Sequence, residues 1–320
     1  MKGLTDIDGI LVGHATNLDA RTGCTAILCP QGAVAGLDIR GSATAASELD
    51  LLTPGHLTEK IHAVTFTGGS AFGLEASSGV RLFLERKGFG FQTGPGILVP
   101  LVPCAVIYDL SFANAGLRPT REMGHAAATA ASSAAVEEGA VGAGAGATVG
   151  KLYGLERAMK SGVGSATIWL DGPYAGVRVA ALAVVNAFGD VRDPQSGQLI
   201  AGARHSPNST DLIDTALQLK RGARGGFPRT NTTLVAVATN AQLNKTSATK
   251  LAQHASAGMA QALSPAWTIH DGDLTIALSC GEAKADITAL GTAAAEATAQ
   301  AILRAVRSAP SMGGLPGLRS

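Results

Sequence analysis

A chain of 320 residues, 46% of them hydrophobic, has ample apolar surface for a continuous core. Lys and Arg number 25 against 24 Asp and Glu, a formal charge of +1, and the 15% charged fraction lies below the ~25% usual for soluble domains. That argues against a nucleic-acid protein or a polybasic membrane binder, because both need a concentrated positive field.

Asp6 and Asp8 stand where a secretory signal needs an apolar run, and no segment approaches the ~18 apolar residues of a membrane span. The expectation is a cytoplasmic protein with no membrane partner. Cys24, Cys29, Cys104 and Cys280 have apolar, strand-like neighbours and read as buried free thiols. Residues 24–29 and 33–37 flank Pro30-Gln31-Gly32, the pattern of a hairpin. Residues 61–67 form a strand ending in Gly68-Gly69, and residues 70–87 carry apolar positions at helical spacing, with Ser70 as the cap. Residues 97–110 are too rich in proline for a helix and read as extended chain. A short helix is predicted over 126–136, ahead of a glycine-rich tract at 139–150. Residues 166–170 and 176–186 pair across Asp171-Gly172-Pro173.

Residues 221–230 are basic, aperiodic and contain Gly and Pro, so they read as a linker. A strand follows at 232–239, then a helix from a Thr246 cap to residue 263, a strand at 274–278 and a final helix through Ile287, Leu290, Ala294, Ala297, Ala301 and Ala305. The 41 glycines have no collagen-like period and mark tight connections and close backbone approaches. The pattern is a mixed α/β sandwich with sheets covered by small-residue helices.

Three motifs invite chemistry. The tract from Gly142 to Lys151 lacks the glycine and the Ser or Thr of a phosphate-binding loop, and no apolar strand leads into it as a dinucleotide fingerprint requires. It reads as a close-packed wall in which Lys151 is the one reactive side chain. Gly68-Gly69-Ser70-Ala71-Phe72-Gly73 sits at a strand-to-helix turn but misses a nucleophile elbow by one residue, leaving its backbone N–H groups for an anion or oxyanion. The seven histidines have no metal-ligand spacing. Third, Asn231-Thr232-Thr233 opens a strand where the linker ends, and Asp271-Gly272-Asp273 heads another. Read alone, Thr232 is a β-former and Asp-Gly-Asp a turn. A threonine becomes a nucleophile only beside a base, and its own α-amino group serves as one once the preceding peptide bond is cut.

The stretch 231–240 with Asp271-Gly272-Asp273, together with residues 68–76 and 102–109, resembles the self-processing aminopeptidases and amidohydrolases of the DmpA-like family, in family order over roughly residues 4–308. The resemblance implies a four-layer αββα sandwich of the kind shared with ornithine acetyltransferases. It implies a single domain, 1–320, that cuts itself into an α chain of residues 1–231 and a β chain of residues 232–320. Thr232 would be the nucleophile and Asn231 would supply the cleaved carbonyl. Asn186 would stabilise the oxyanion, Asp271 and Asp273 would orient the nucleophile, and Lys151 would stand near it. Tyr108, Gly68 and Gly69 would line the substrate pocket. The implied activity is hydrolysis of small peptides or peptide-like amides through an acyl-threonine, with no metal or organic cofactor, in an oligomer of αβ units such as a tetramer. Acyl transfer of the ornithine-acetyltransferase type, or a non-catalytic small-molecule binder on the same fold, are the alternatives. The aminopeptidase branch carries a glutamate just upstream of the Tyr108 region to bind the substrate ammonium. Pro103-Cys104-Ala105 occupies that stretch here, which argues against strict aminopeptidase specificity, and the surrounding sequence is nearer the nylon-oligomer and uncharacterised branches.

Overall fold

The computed structural model describes residues 2–225 and 231–319, so part of the 221–230 linker lies outside the described residues. Strands β1 (Leu11–Asn17), β2 (Thr22–Ile39), β3 (Ala46–Ser47), β4 (Lys60–Thr67) and β5 (Cys104–Val106) precede β6 (Val163–Trp169), β7 (Arg178–Asn186), β8 (Thr232–Ala241) and β9 (Leu274–Ala283). Helices α1 (Ala76–Arg86) and α2 (Arg121–Ala130) belong to the first half of the chain, and α3 (Lys245–Ala262) and α4 (Ile287–Arg307) to the second. The ladder runs β6-β7-β8-β9-β2-β4-β5-β3, with β1 paired to β2.

The long strand β2 makes a sandwich out of this ladder. Its residues 22–28 pair with β1 and β4, whereas residues 34–39 pair with β9. Leu28 opposes Ala63 and Ala33 opposes Ile61, so residues 29–32 are absorbed as an irregularity in the strand. Pro30-Gln31-Gly32 is therefore not a hairpin. It bends one strand so that the chain passes from one sheet into the other, the usual device at a sandwich corner.

Period-two alternation assigns the faces. Ile27, Val64 and Phe66 meet Ala180, Leu182, Val184, Leu234, Ala236, Ala238, Leu274, Ile276 and Leu278 in a core between the sheets. The intervening residues point outwards. Cys24, Ala26, Leu28 and Ala63 pack under Ala76, Val80, Leu84 and Ala127 of α1 and α2. On the opposite face Ala181, Ala183, Val185 and Val235 lie under Met259 of α3 and Ala301 and Ile302 of α4. The layers are helix, sheet, sheet, helix, an α/β sandwich as the sequence pattern implies. The small residues explain how close the layers come: a Cβ on Gly164 of β6 would sit 2.1 Å from the carbonyl oxygen of Ala301 in α4.

Local boundaries differ from the sequence reading where caps decide them. Helix α2 starts at Arg121 rather than 126, because Thr120 accepts the Met123 N–H. Asn244, not Thr246, caps α3. Ser70 is no cap; it begins a 3₁₀ turn, Ser70–Glu75, without a side-chain bond to it. All four cysteines are free, three of them buried and Cys280 partly so. No helix of the described residues is long and apolar enough to cross a membrane.

Candidate active site

The apolar alternation stops at one end of the second sheet, and polar side chains take over. Asn186 is the last residue of β7 and Thr232 the first of β8, and the two are cross-strand partners. Strand β9 runs parallel to β8 from the Leu234–Leu274 pair, which sets the preceding Asp271-Gly272-Asp273 turn beside Asn231, Thr232 and Thr233. Asn231 and Asp271 form a bridge there. All five polar residues, Asn186, Asn231, Thr232, Asp271 and Asp273, are at most 5% exposed.

At the junction, the Asn231 carbonyl accepts the backbone N–H of Gly272 at 2.8 Å and the Thr232 hydroxyl at 2.5 Å. Asp273 accepts the Thr233 N–H. Asp271 accepts the Thr268 hydroxyl and N–H on one oxygen and the Phe188 N–H, 3.2 Å away, on the other. The turn is held from below: Arg40 and Gly41 donate to the Asp273 carbonyl and Ala43 to that of Asp271. Gly272 is glycine for want of room, since a Cβ there would lie 2.7 Å from the Ala43 carbonyl oxygen and 2.8 Å from Thr232 Oγ1.

Lys151 enters from the glycine tract. Its Nζ donates to the Asn186 backbone carbonyl at 2.9 Å and to Asn186 Oδ1 at 2.7 Å. Burial pushes the Lys151 ammonium down to about 7, while Asp271, Asp273 and Asp109 pull it back up. The same burial raises both carboxyls of the Asp271–Asp273 pair, and for Asp273 the neighbouring Asp271 charge raises it further. Asn186 is oriented on both sides: its Oδ1 also accepts the Thr148 N–H at 3.1 Å, and its Nδ2 donates to the Tyr108 carbonyl at 3.0 Å. The tract itself hangs on Lys160, which is fully buried and donates to the carbonyls of Gly144, Ala147 and Ser161.

Tyr108 thus reaches the site through its carbonyl. The next residue, Asp109, is spent on structure: Oδ1 accepts the Gly69 N–H at 2.7 Å and Oδ2 the Thr22 hydroxyl at 2.6 Å. Gly68 donates to Gly23 and Ser70 to Ile107. The N–H groups of Gly68, Gly69 and Ser70 are therefore all committed to the protein, and the turn does not offer them to an oxyanion as its sequence suggested. Gly68 and Gly69 serve by lacking side chains, since a Cβ on Gly68 would collide with Asp109 and Thr22.

The profile of peptidase family S58 matches residues 2–319. The chain belongs to this family. An uncharacterized aminopeptidase of Mycobacterium leprae (strain TN) is 38% identical over 99% of this chain and 93% of its own length. A 6-aminohexanoate-oligomer endohydrolase of Kocuria sp. is 30% identical, over 94% of this chain and 85% of its own. The L-aminopeptidase D-Ala-esterase/amidase from Ochrobactrum anthropi, described as a variant of the Ntn hydrolase fold, superposes with a TM-score of 0.73 at 19% identity, covering 98% of this chain and 88% of that one. This S58 chain is a hydrolase on that fold, and the non-catalytic alternative falls away. Its sequence-predicted residues converge on one sheet end: Thr232, Asn231, Asn186, Asp271, Asp273 and Lys151 directly, Tyr108 through its carbonyl, Gly68 and Gly69 through Asp109. Sequence reasoning missed the Gly272 N–H, the Thr148 N–H and Lys160. A glycine between two strand-heading acids was the one available signal, and it reads equally as a turn. Among the described residues no group of three or more His, Cys, Asp or Glu side chains is placed to hold a metal ion.

Proposed function

We propose that this S58 hydrolase matures by cutting its own Asn231–Thr232 bond and then hydrolyses amide bonds of small peptides or peptide-like amides through an acyl-threonine. The observation that carries the reading is the Asn231 carbonyl held between the Gly272 N–H and the Thr232 hydroxyl. In processing, Thr232 Oγ attacks the Asn231 carbonyl carbon while the Gly272 N–H stabilises the developing oxyanion. Lys151 receives the hydroxyl proton. Two of its N–H bonds are directed at Asn186, so in the neutral amine the lone pair is the site left for that proton. The C–N bond to Thr232 then breaks, its nitrogen takes up a proton, and water cleaves the resulting ester. The chain becomes one domain of two polypeptides, 1–231 and 232–320.

The freed Thr232 α-amino group, with an ordinary pKa of roughly 7.7–8.0, then acts as the base for its own hydroxyl. Attack on a substrate amide expels the amine, with Asn186 stabilising the oxyanion, and water releases the acid. The test is amine release from short amides by the wild type and by Thr232→Ala. The wild type is expected to turn over and the variant to be silent. Hydrolysis by Thr232→Ala at the wild-type rate overturns the reading.

A further inference from the structure

Arg118 has no acidic partner among the described residues, and it belongs to the segment packed against Gly69. Arg40, Arg81, Arg178, Arg192, Arg304 and Arg307 each pair with a carboxylate, but none of the carboxylates of the described residues pairs with Arg118. It is nevertheless held in place. Its guanidinium lies 3.6 Å from the centroid of the Phe72 ring, and its Nε donates to the Ala115 carbonyl at 2.9 Å. Phe72 is 56% exposed, so the ring is not kept for the core; it is a platform for the guanidinium. Neither terminal nitrogen has an acceptor among the described residues.

A series of contacts links this cation to the polar sheet end. Arg118 and Pro119 lie against Gly69, where a Cβ would stand 2.8 Å from Pro119 Cδ and 3.6 Å from Arg118 Cβ. Gly69 is bonded to Asp109, and the adjoining Tyr108 carbonyl receives Asn186, the strand partner of Thr232. A guanidinium immobilised by stacking, with its terminal edge open, is pre-organised for two parallel hydrogen bonds to a carboxylate. We propose that Arg118, seated on Phe72, binds the free carboxylate on the amine-bearing half of the substrate, making the preferred substrates short amides that end in a carboxylate. The proposal rests on the amidase reading above and adds the chemical class of the group that leaves.

The experiment uses processed wild-type protein, Arg118→Gln and Arg118→Lys with two matched pairs: alanylglycine against alanylglycinamide, and alanyl-6-aminohexanoate against its carboxamide. The two spacers sample different distances between the scissile bond and the carboxylate. The readout is the ratio of kcat/KM for the carboxylate over the carboxamide. For at least one spacer the wild-type ratio should be about tenfold or more, collapse towards one in Arg118→Gln and survive in part in Arg118→Lys. Raising the salt from roughly 0.05 M to 0.5 M should erode the wild-type ratio, because an exposed ion pair is screened. A wild-type ratio near or below one for both spacers, or a ratio unchanged in Arg118→Gln, overturns the assignment of Arg118 while leaving the amidase reading standing. Failure of the wild type to hydrolyse any of the four overturns both.

Discussion

Gly272 donates its backbone N–H to the carbonyl of Asn231, and that same carbonyl is the one Thr232 Oγ1 touches. In the proposed cleavage this backbone donor already faces the oxygen that would gain charge, so it would cost no reorganisation, and Asn231 is buried. The glycine also makes room, because any side chain there would meet Thr232 Oγ1 and Ala43.

Gly272→Ala should therefore slow self-cleavage at least tenfold while the protein still folds, since the added methyl displaces Thr232 Oγ1 or the turn. The measurement is the half-time for appearance of the two pieces in freshly purified protein near neutral pH. Processing at the wild-type rate would show that the close approach is not part of the reaction.

Asn186→Ala removes the side-chain donor beside Thr232. Losing one oxyanion donor typically costs about 10²–10³ in turnover. With processed variant in hand, kcat should fall by that order and KM should move little. Unchanged kcat would reassign Asn186 to fastening the Tyr108 and Lys151 segments together.

Lys151 and Lys160 are both held near 7 by burial, against 10.5 for a free lysine. Between pH 7 and 10.5 the unfolded chain retains protons that the fold has released, so stability rises with pH across that window and carries its full burial penalty below it. In a Thr232→Ala background, which keeps one polypeptide, Lys151→Met should remove one of the two contributions. Denaturant unfolding at about pH 7 and pH 9.5 should then show a smaller gain than the parent. An undiminished gain would mean that Lys151 keeps its proton throughout.

A free amino terminus on the substrate should matter little. Two acids beside the Tyr108 stretch are already occupied: Asp109 by Gly69 and Thr22, Glu48 by Arg81 and the Val102 N–H. An ammonium entering there would lose hydration without gaining a partner. The specificity constants for an amide with a free and with an acetylated amino terminus should differ by less than about tenfold, or ~1.4 kcal/mol. A thousandfold preference for the free amine would contradict this.

The layers were legible because the short apolar runs at 234–238 and 274–278, buried on both faces, must be covered on both sides, and the Ala-rich helical spacing of the final helix marks one of the covers. The meeting of Thr232 with the two acids was legible because all three stand at or just before strand starts, and chain order matched a family. The bend at residues 29–32 was not, since Pro-Gln-Gly signals a turn whether the chain reverses or merely changes sheet, and only register tells the two apart. The start of α2 was missed because an alanine run hides its own beginning, which Thr120 decides. The Gly272 N–H had no letter of its own: a backbone donor becomes visible only once β8 and β9 lie side by side.

The central claim, that Thr232 attacks the bond before it, is tested most directly by denaturing mass spectrometry of the purified protein after incubation near neutral pH, beside Thr232→Ala. The account predicts two wild-type masses corresponding to residues 1–231 and 232–320, the second beginning at Thr232, and a single full-length mass for the variant. An intact wild type, or a variant cut at the same bond, would contradict it.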